Sequence, residues 1–391
     1  MPDLWYRFLS QLCVRVYFSR IDVLPARPSL SGPTLIVALH RNGALDGWVY
    51  KSIFPFATFM ISAQLQKNLL ARLFFTGIAV VRDKDQAEGG HSSNTDAMNR
   101  CYDLLGSGGT LAIFPEGTSS LGPRHLPLKS GAARIALEAA QRQVPVTILP
   151  LGITYDAPST FRSNVQVIAG PLFSPSSFTL PELKREIASR LEAVGLNVDS
   201  DDHYRDIRAL ASFASPEMSY HAVLKTLEPA NPAHLLAPWL RLRDSLHFRG
   251  LLHPEKSPFS PHAPLLTSLA ALFLSPFVLL AAILNAPPLL TAYLAGRHFP
   301  DGTNVITLWR ILIGAITFSL WFWLVLEFSL FSKSPLLFLA FLAVSLISLF
   351  AYTPWKRHLR HSFNALRAPS VRRDYLAFRS TLLQELCCHA S

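Results

Sequence analysis

Two long stretches with almost no charged residues lie in the C-terminal part of the chain and limit how it can fold. Residues 257–296 contain no Asp, Glu, Lys or Arg, and residues 311–355 contain only Glu327 and Lys333. A helix needs about 20 apolar residues to cross a bilayer. Only 16% of the chain is charged and 50% is hydrophobic, whereas soluble domains carry about 25% charged residues. The sequence therefore predicts a membrane protein.

Basic residues beside these stretches indicate how the chain crosses the bilayer. Arg297 and Arg310 flank the loop between the stretches, and Lys356, Arg357 and Arg360 follow the second stretch. The positive-inside rule favours the cytoplasmic side for both groups, which three full spans would not allow. We therefore predict a membrane region at 257–355 and a basic cytoplasmic tail at 356–391. Within the membrane region we expect a re-entrant hairpin at 263–296 and spans at about 306–330 and 335–355.

Short apolar runs alternate with amphipathic stretches between residues 33 and 170. TLIVAL, ATFMISA, GIAVVR and TLAIF predict buried strands, and SGAARIALEAAQR predicts a helix. This alternation is typical of βα units. We therefore expect an α/β domain over residues 27–172, with a mostly parallel sheet flanked by helices. VPVTILPLGITY predicts a further strand, whose prolines indicate an edge or a loop end.

Two helical segments flank this domain. In residues 1–26, Leu4, Phe8 and Leu12 recur at helical spacing. This pattern fits an amphipathic helix in the membrane interface as well as a helix packed on the core. Residues 173–256 are more polar and predict a helical extension.

A histidine and an aspartate follow the first predicted strand, in HRNGALD. A neutral imidazole is a suitable general base near pH 7, and a carboxylate can fix its tautomer. His40 and Asp46 are therefore candidate catalytic residues.

A second block, IFPEGTSS, follows the strand TLAIF. It presents Glu116 at a strand end, while Gly117 allows close backbone approach to a ligand. Thr118 can donate a hydrogen bond, and Lys129 precedes a predicted helix start. A cation at a helix N-terminus favours anion binding. A third block, TGIAVVR, places Gly77 before a strand and Arg82 after it, where a guanidinium can grip a phosphate.

In this order, the blocks resemble the motifs of the glycerolipid acyltransferase family, which includes glycerol-3-phosphate and lysophosphatidic acid acyltransferases. The resemblance covers roughly residues 33–155 and includes FPEG at 114–117. The five residues between His40 and Asp46 are similar to the spacing in the fungal glycerol-3-phosphate/dihydroxyacetone-phosphate acyltransferase branch.

The resemblance implies a role for each matched position. His40 would deprotonate the acceptor hydroxyl, Asp46 would orient His40, and Arg82 would hold the acceptor phosphate. The remaining positions, expected at the substrate site, are Glu116, Gly117, Thr118, Lys129, Gly77 and Pro150.

The implied activity is a membrane-bound O-acyltransferase of phospholipid biosynthesis. The donor would be acyl-coenzyme A or acyl-carrier protein, as a co-substrate, and no cofactor or metal is expected. Glycerol 3-phosphate, dihydroxyacetone phosphate and lysophosphatidic acid all remain open as acceptors. The formal net charge of +10 suits anionic substrates and an anionic bilayer, and we expect no nucleic-acid partner. We expect a multi-pass protein with a cytoplasmic catalytic domain, in the bacterial inner membrane or the endoplasmic reticulum.

Two other interpretations remain. The enzyme would remodel other lysophospholipids, or the chain would be a non-catalytic lipid-binding membrane protein. A serine hydrolase is disfavoured because the sequence contains no G-x-S-x-G elbow.

Overall fold

The computed structural model contains two compact units, which are described separately. It describes residues 2–66, 72, 74–81, 94–229, 233–253 and 255–390. The first unit comprises Met1–Tyr155, Val165–Asn197 and Thr303–Val305. The second unit comprises Asp156–Asn164, Val198–Gly302 and Ile306–Ser391. The predicted helical extension at 173–256 is thus divided between the two units.

Seven strands of the described chain form one sheet. They are β1 Arg20–Leu24, β2 Thr34–Ala38, β3 Thr58–Ser62, β4 Ile78–Val80, β5 Thr110–Ile113, β6 Thr147–Tyr155 and β7 Asn164–Ala169. Their order across the sheet is β1-β7-β6-β2-β5-β3-β4. β2 pairs in parallel with both β5 and β6, β3 pairs in parallel with β4 and β5, and β7 runs antiparallel to β6. The predicted mostly parallel sheet is confirmed.

Pro150 corrects one expectation about this sheet. Proline in this segment indicated an edge or a loop end, but β6, which contains Pro150, lies inside the sheet between β2 and β7. The antiparallel ladder ends at the pair Leu151–Ala169, so the missing N–H of Pro150 falls where that ladder stops. The carbonyl of Pro150 still accepts a hydrogen bond from the Gly170 amide at 3.0 Å.

In the described part of the first unit, five α-helices surround the sheet and cover its apolar faces. They are α1 Pro2–Tyr17, α2 Leu45–Ile53, α3 Thr95–Gly106, α4 Gly131–Gln141 and α5 Leu180–Val194. Helices α3, α4 and α5 contribute apolar side chains to one core cluster with the strands. Every residue of β2 is buried, as expected for a parallel strand covered on both faces.

The second unit is helical in its described part. Its helices are α6 Asp201–Ala214, α7 Tyr220–Leu227, α8 Ala233–Phe248, α9 Pro264–Leu284, α10 Ala286–His298, α11 Ile306–Phe331, α12 Pro335–Arg367 and α13 Pro369–Ala390. The segments Pro264–Leu284, Thr303–Phe331 and Pro335–Arg367 are long and apolar enough to cross a membrane. The predicted basic tail is helical, since it forms the end of α12 and all of α13.

Contacts among α9 to α12 give the direction in which each helix runs. Along α9 and α12, Ser275 contacts Trp355 and Asn285 contacts Ser345, so these two helices are antiparallel. Along α10 and α11, the hydroxyls of Thr291 and Thr317 lie 3.1 Å apart, and Gly296 lies against Arg310. These two helices are also antiparallel.

Candidate active site

His40 and Asp46 form a direct pair at the carboxyl end of β2. His40 Nδ1 lies 2.9 Å from Asp46 Oδ2. The Asp46 side chain is fully buried, whereas 15% of the His40 side chain is exposed. Because Nδ1 is engaged by the carboxylate, Nε2 is the nitrogen available to take a proton from a substrate. The pair has the arrangement of an oriented general base.

The Asp46 carboxylate is held in place by three further hydrogen bonds. Oδ2 accepts from the backbone amides of Arg41 at 2.6 Å and Asn42 at 2.8 Å. Oδ1 accepts from the Tyr155 hydroxyl at 2.6 Å. Burial and the negative charge of Asp46 raise the pKa of Tyr155 well above its ordinary value, so the hydroxyl remains a donor. A fixed carboxylate in turn fixes the imidazole.

The loop between His40 and Asp46 depends on Gly43. Gly43 has a φ of +58°, and its carbonyl accepts the Asp46 amide at 3.2 Å, which closes the turn into α2. A Cβ on Gly43 would lie 2.9 Å from the Asn304 carbonyl oxygen. The Asn304 side chain also donates to the backbone and side-chain oxygens of Ser119, at 3.1 and 2.6 Å. The segment Thr303–Val305 therefore packs on both motif-bearing loops of the first unit.

Glu116 connects the FPEG loop to the loop that carries His40, and it does so through backbone amides. It is 3% exposed. One oxygen accepts from the His40 amide at 3.0 Å and the other from the Leu126 amide at 3.2 Å. Burial raises the pKa of the Glu116 carboxyl, and these two hydrogen bonds act in the opposite direction. The geometry favours a brace for the backbone of His40, whose ring also stacks on Phe114 at 4.2 Å.

Gly117 and Lys129 lie together at the start of α4. Gly117 has a φ of +72°, and a Cβ at this position would lie 3.1 Å from Lys129 Cε. Lys129 and Thr118 are exposed. An exposed ammonium beside a glycine turn and a helix N-terminus can bind an anion. The structure thus brings Gly117 and Lys129 together, as the predicted anion site requires.

Two predicted site residues, Gly77 and Pro150, lie elsewhere. Arg82 falls outside the described residues. Gly77 precedes β4, where a Cβ would lie 2.2 Å from the Phe59 carbonyl oxygen, so its role is close packing of neighbouring strands. Pro150 lies within β6, paired with Val37, before the carboxyl edge of the sheet.

Three residues that contact the site were not identified from the sequence. Arg41 is buried and donates to the carbonyls of Gly122 and Arg124. The others are Tyr155 and Asn304. Tyr155 ends a strand next to β2, and the rule that neighbouring parallel strands present their carboxyl ends at one edge could have identified it. The sequence holds no comparable signal for Asn304.

Comparison with known proteins gives a match within the N-terminal part of the chain. Residues 15–154 match a family model described as Acyltransferase. A chloroplastic 1-acyl-sn-glycerol-3-phosphate acyltransferase from Brassica napus is 38% identical over 160 residues, which is 38% of this chain and 43% of that protein. Glycerol-3-phosphate O-acyltransferase 2 from Saccharomyces cerevisiae is 29% identical over 136 residues, 32% of this chain and 18% of that protein. The resemblance drawn from the motifs is confirmed.

The matches cover limited shares of these proteins. The chain spans less than half the length of either relative. The solved structure of the 1-acyl-sn-glycerophosphate (LPA) acyltransferase PlsC from Thermotoga maritima aligns with a TM-score of 0.36 and 18% identity. That alignment covers 48% of this chain and 76% of that one.

Proposed function

We propose that this chain, whose residues 15–154 form an acyltransferase-family domain, is a membrane-bound O-acyltransferase. It moves a fatty acyl group from a thioester to the hydroxyl of a glycerol-phosphate acceptor. The observation that carries the proposal is the 2.9 Å contact between His40 Nδ1 and Asp46 Oδ2. This contact leaves Nε2 of a partly exposed histidine to act as the base.

The proposed reaction needs no covalent enzyme intermediate. His40 Nε2 accepts the proton of the acceptor hydroxyl while the oxygen attacks the thioester carbonyl carbon. The new C–O bond forms, and the C–S bond breaks when the tetrahedral intermediate collapses. The thiolate then receives the proton from the imidazolium, which restores neutral His40. Asp46 stabilises the imidazolium in both steps and keeps its own negative charge.

The acceptor phosphate requires a positively charged site close to the base. Gly117, Thr118 and the exposed ammonium of Lys129 supply one at the start of α4. We assign the acceptor phosphate to this site, with Arg82 as a second cation. Glu116 contributes by holding the His40 backbone. The donor, acyl-coenzyme A or acyl-carrier protein, is assigned from the general chemistry of thioesters alone.

The first unit has a surface suited to a bilayer. One face of α1 packs inward through Tyr6, Leu9 and Val14, while Leu4 and Phe8 on the other face are 74% and 58% exposed. An exposed apolar stripe on an amphipathic helix fits the membrane interface. We propose that α1 both packs on the domain and holds it at the bilayer, where lipid substrates and products lie.

The helix directions in the second unit support the re-entrant hairpin. α9 runs antiparallel to α12, and α10 runs antiparallel to α11. The chain therefore enters as α9 beside α12 and returns as α10 beside α11. The turn at Asn285 lies level with Trp321, whose Nε1 donates to the Leu284 carbonyl at 3.0 Å. α11 continues for ten more residues to Phe331, or ~15 Å at 1.5 Å per residue. We propose that α9 and α10 turn back inside the bilayer and that both ends of the region are cytoplasmic.

The direct test is release of thiol from palmitoyl-coenzyme A by membranes that carry the protein. Glycerol 3-phosphate, dihydroxyacetone phosphate, lysophosphatidic acid and other lysophospholipids are supplied separately. His40→Ala is the blank, and its folding is checked by thermal denaturation in detergent. Release that requires one acceptor and disappears in the blank assigns that acceptor.

Other results contradict the proposal. Thiol release without an acceptor points to thioester hydrolysis. Acceptor-dependent release that survives in His40→Ala excludes the assigned base. If neither acyl-coenzyme A nor acyl-carrier-protein donors support release, the chain is a lipid-binding protein and the enzyme assignment is wrong.

A further inference from the structure

Basic side chains gather at one end of the helices of the second unit, and none of them is assigned a part in acyl transfer. We call them the basic cluster: Arg162, Lys256, Arg310, Lys356 and Arg360. Arg310 lies near the start of α11, and Lys356 and Arg360 lie beyond the apolar part of α12. Phe322 of α11 contacts Phe341 of α12 on either side of the connection between the two helices, so these helices are antiparallel and the three positions fall at the same end of the bundle.

Side-chain contacts place three members of the basic cluster around the segment Asp156–Asn164. Arg310 donates to the Ser159 carbonyl at 2.5 Å. The Lys356 ammonium lies 5.4 Å from the centre of the Tyr352 ring, and that ring is 5.7 Å from Phe161. The neighbouring Arg162 is 7% exposed. The cations therefore meet in one place and are not spread over the surface.

Electrostatic effects show that Lys256 and Arg360 lie close to the other members of the basic cluster. Burial lowers the pKa of Lys256, and the positive charges of Lys356 and Arg360 lower it further. The nearby acids Glu255 and Asp156 act in the opposite direction but have smaller effects. Lys256 thus lies close to two like charges in a half-buried position.

The described residues do not neutralise these charges. Within the described chain, Lys256, Arg310, Lys356 and Arg360 have no carboxylate oxygen within 4.0 Å. The nearby acid Glu255 pairs with Arg208 at 2.9 Å.

Asp156 is also engaged, because it accepts two hydrogen bonds from Asn164, at 2.8 and 2.7 Å. The Nε atoms of Arg310 and Arg360 are buried and have no hydrogen-bond partner among the described residues. Like charges held together with buried, unbonded donors destabilise the folded chain. A bound anion would reverse both effects.

We propose that the basic cluster binds the phosphate group of a ligand at the membrane surface. Guanidinium groups offer paired donors to phosphate oxygens, and ammonium groups add charge. Tyr352 and Trp355 separate the apolar part of α12 from Lys356 and Arg360, as aromatic residues do at the headgroup level of a bilayer. The ligand is a phospholipid headgroup or a soluble phosphate ester that reaches the same level.

The test measures binding to the full-length protein in detergent, without acyl donor. The probes are short-chain phosphatidic acid, short-chain phosphatidylcholine and adenosine 3′,5′-bisphosphate. The test variant is Lys356→Gln with Arg360→Gln, and the matched control is Arg373→Gln, an exposed arginine on α13. We expect phosphatidic acid or the bisphosphate to bind the test variant about tenfold more weakly or worse. The control should bind like the unmodified protein.

The pattern of binding identifies the source of the phosphate. Binding of phosphatidic acid alone assigns a lipid headgroup, and binding of the bisphosphate assigns a soluble ester. Equal binding of all probes, or equal affinity in the test variant, overturns the proposal.

Thermal denaturation without ligand adds an independent readout. Removing two unneutralised charges should raise the midpoint of the test variant. A lower midpoint would mean that the cluster is already neutralised by the protein, and the proposal would fail. None of these measurements depends on whether the chain is an acyltransferase.

Discussion

Replacing Tyr155 with phenylalanine tests how the candidate base is oriented. The Tyr155 hydroxyl donates to Asp46 Oδ1 at 2.6 Å. The other oxygen of Asp46 already accepts from His40, Arg41 and Asn42. The substitution removes the one donor described for Oδ1 and leaves the aromatic ring in place. It therefore changes the charge distribution of a fully buried carboxylate without opening a large cavity.

The expected size follows from the chemistry of that hydrogen bond. Hydrogen bonds to a charged group contribute about 1.5–3 kcal/mol to stability, so the free energy of unfolding should fall by about that amount. With one donor fewer, the buried carboxylate is held less firmly and orients the His40 ring less well. If about 1.4 kcal/mol of this is felt in the transition state, acceptor-dependent thiol release slows about tenfold.

Tyr50 provides a matched control. It is also fully buried, but its hydroxyl donates to the Leu39 carbonyl at 3.2 Å and not to Asp46. Tyr50→Phe loses a neutral hydrogen bond, worth about 0.5–1.5 kcal/mol. It should destabilise the protein without a comparable loss of thiol release.

The assay is acceptor-dependent thiol release at saturating donor and acceptor, with thermal denaturation of each variant in detergent. We expect Tyr155→Phe to release thiol about tenfold more slowly than the unmodified protein. An unchanged rate, or an equal loss in Tyr50→Phe, would refute the argument that Tyr155 acts through Asp46.

Three further predictions concern other contacts. In Glu116→Gln, the side-chain NH2 must face one of the two backbone N–H groups from which Glu116 now accepts hydrogen bonds. We expect about 1–3 kcal/mol lower stability and slower thiol release, and an unchanged melting midpoint would contradict the brace. In Gly43→Ala, the new Cβ would lie 2.9 Å from the Asn304 carbonyl, so activity and thermal stability should fall. Gly32 also has a positive φ, but a Cβ there would have no atom within 4 Å, so Gly32→Ala is the control. An equal loss in both variants would mean that backbone strain, and not the contact with Asn304, causes the loss. To test the re-entrant hairpin of α9 and α10, Asn285→Cys is made in a chain without the native cysteines. Membrane-impermeant thiol reagents should fail to label this cysteine from either side of the membrane. Cysteines before α9 and after α10 should both react from the cytoplasmic side, and labelling from opposite sides would indicate a full span.

Most of the sheet could be predicted because its strands are short apolar runs with little charge. β2, β5 and β6 lie at the centre, and burial on both faces requires such runs. β1 could not be predicted, since Arg20–Leu24 contains an arginine and an aspartate and lies at the edge of the sheet. The position of Pro150 inside the sheet was also unpredictable. It depends on where β7 ends, and that is a property of the pairing and not of β6.

The site was predictable where its residues are close in sequence. His40 and Asp46 share one loop, and Gly117 and Lys129 flank one turn. Tyr155 is 109 positions from its partner Asp46, so only the order of the strands brings it there. The hydrogen-bond partners of Glu116 could not be predicted for a related reason. Its two partners are backbone amides, and backbone partners carry no residue-type signal.

The turn between α9 and α10 explains why composition alone could not predict whether residues 263–296 turn back inside the bilayer or cross it. An uncharged stretch of this length is compatible with one tilted span or two shorter helices. A polar side chain at the turn is costly in lipid unless it finds hydrogen-bond partners. Asn285 Nδ2 donates to the Ala281 carbonyl and to the Ser345 hydroxyl of α12, both at 3.0 Å. The second of these partners lies 60 positions later in the chain, so this hydrogen bond forms only once α12 has packed. The direction in which the chain leaves the turn therefore depends on contacts between helices and not only on the segment that turns.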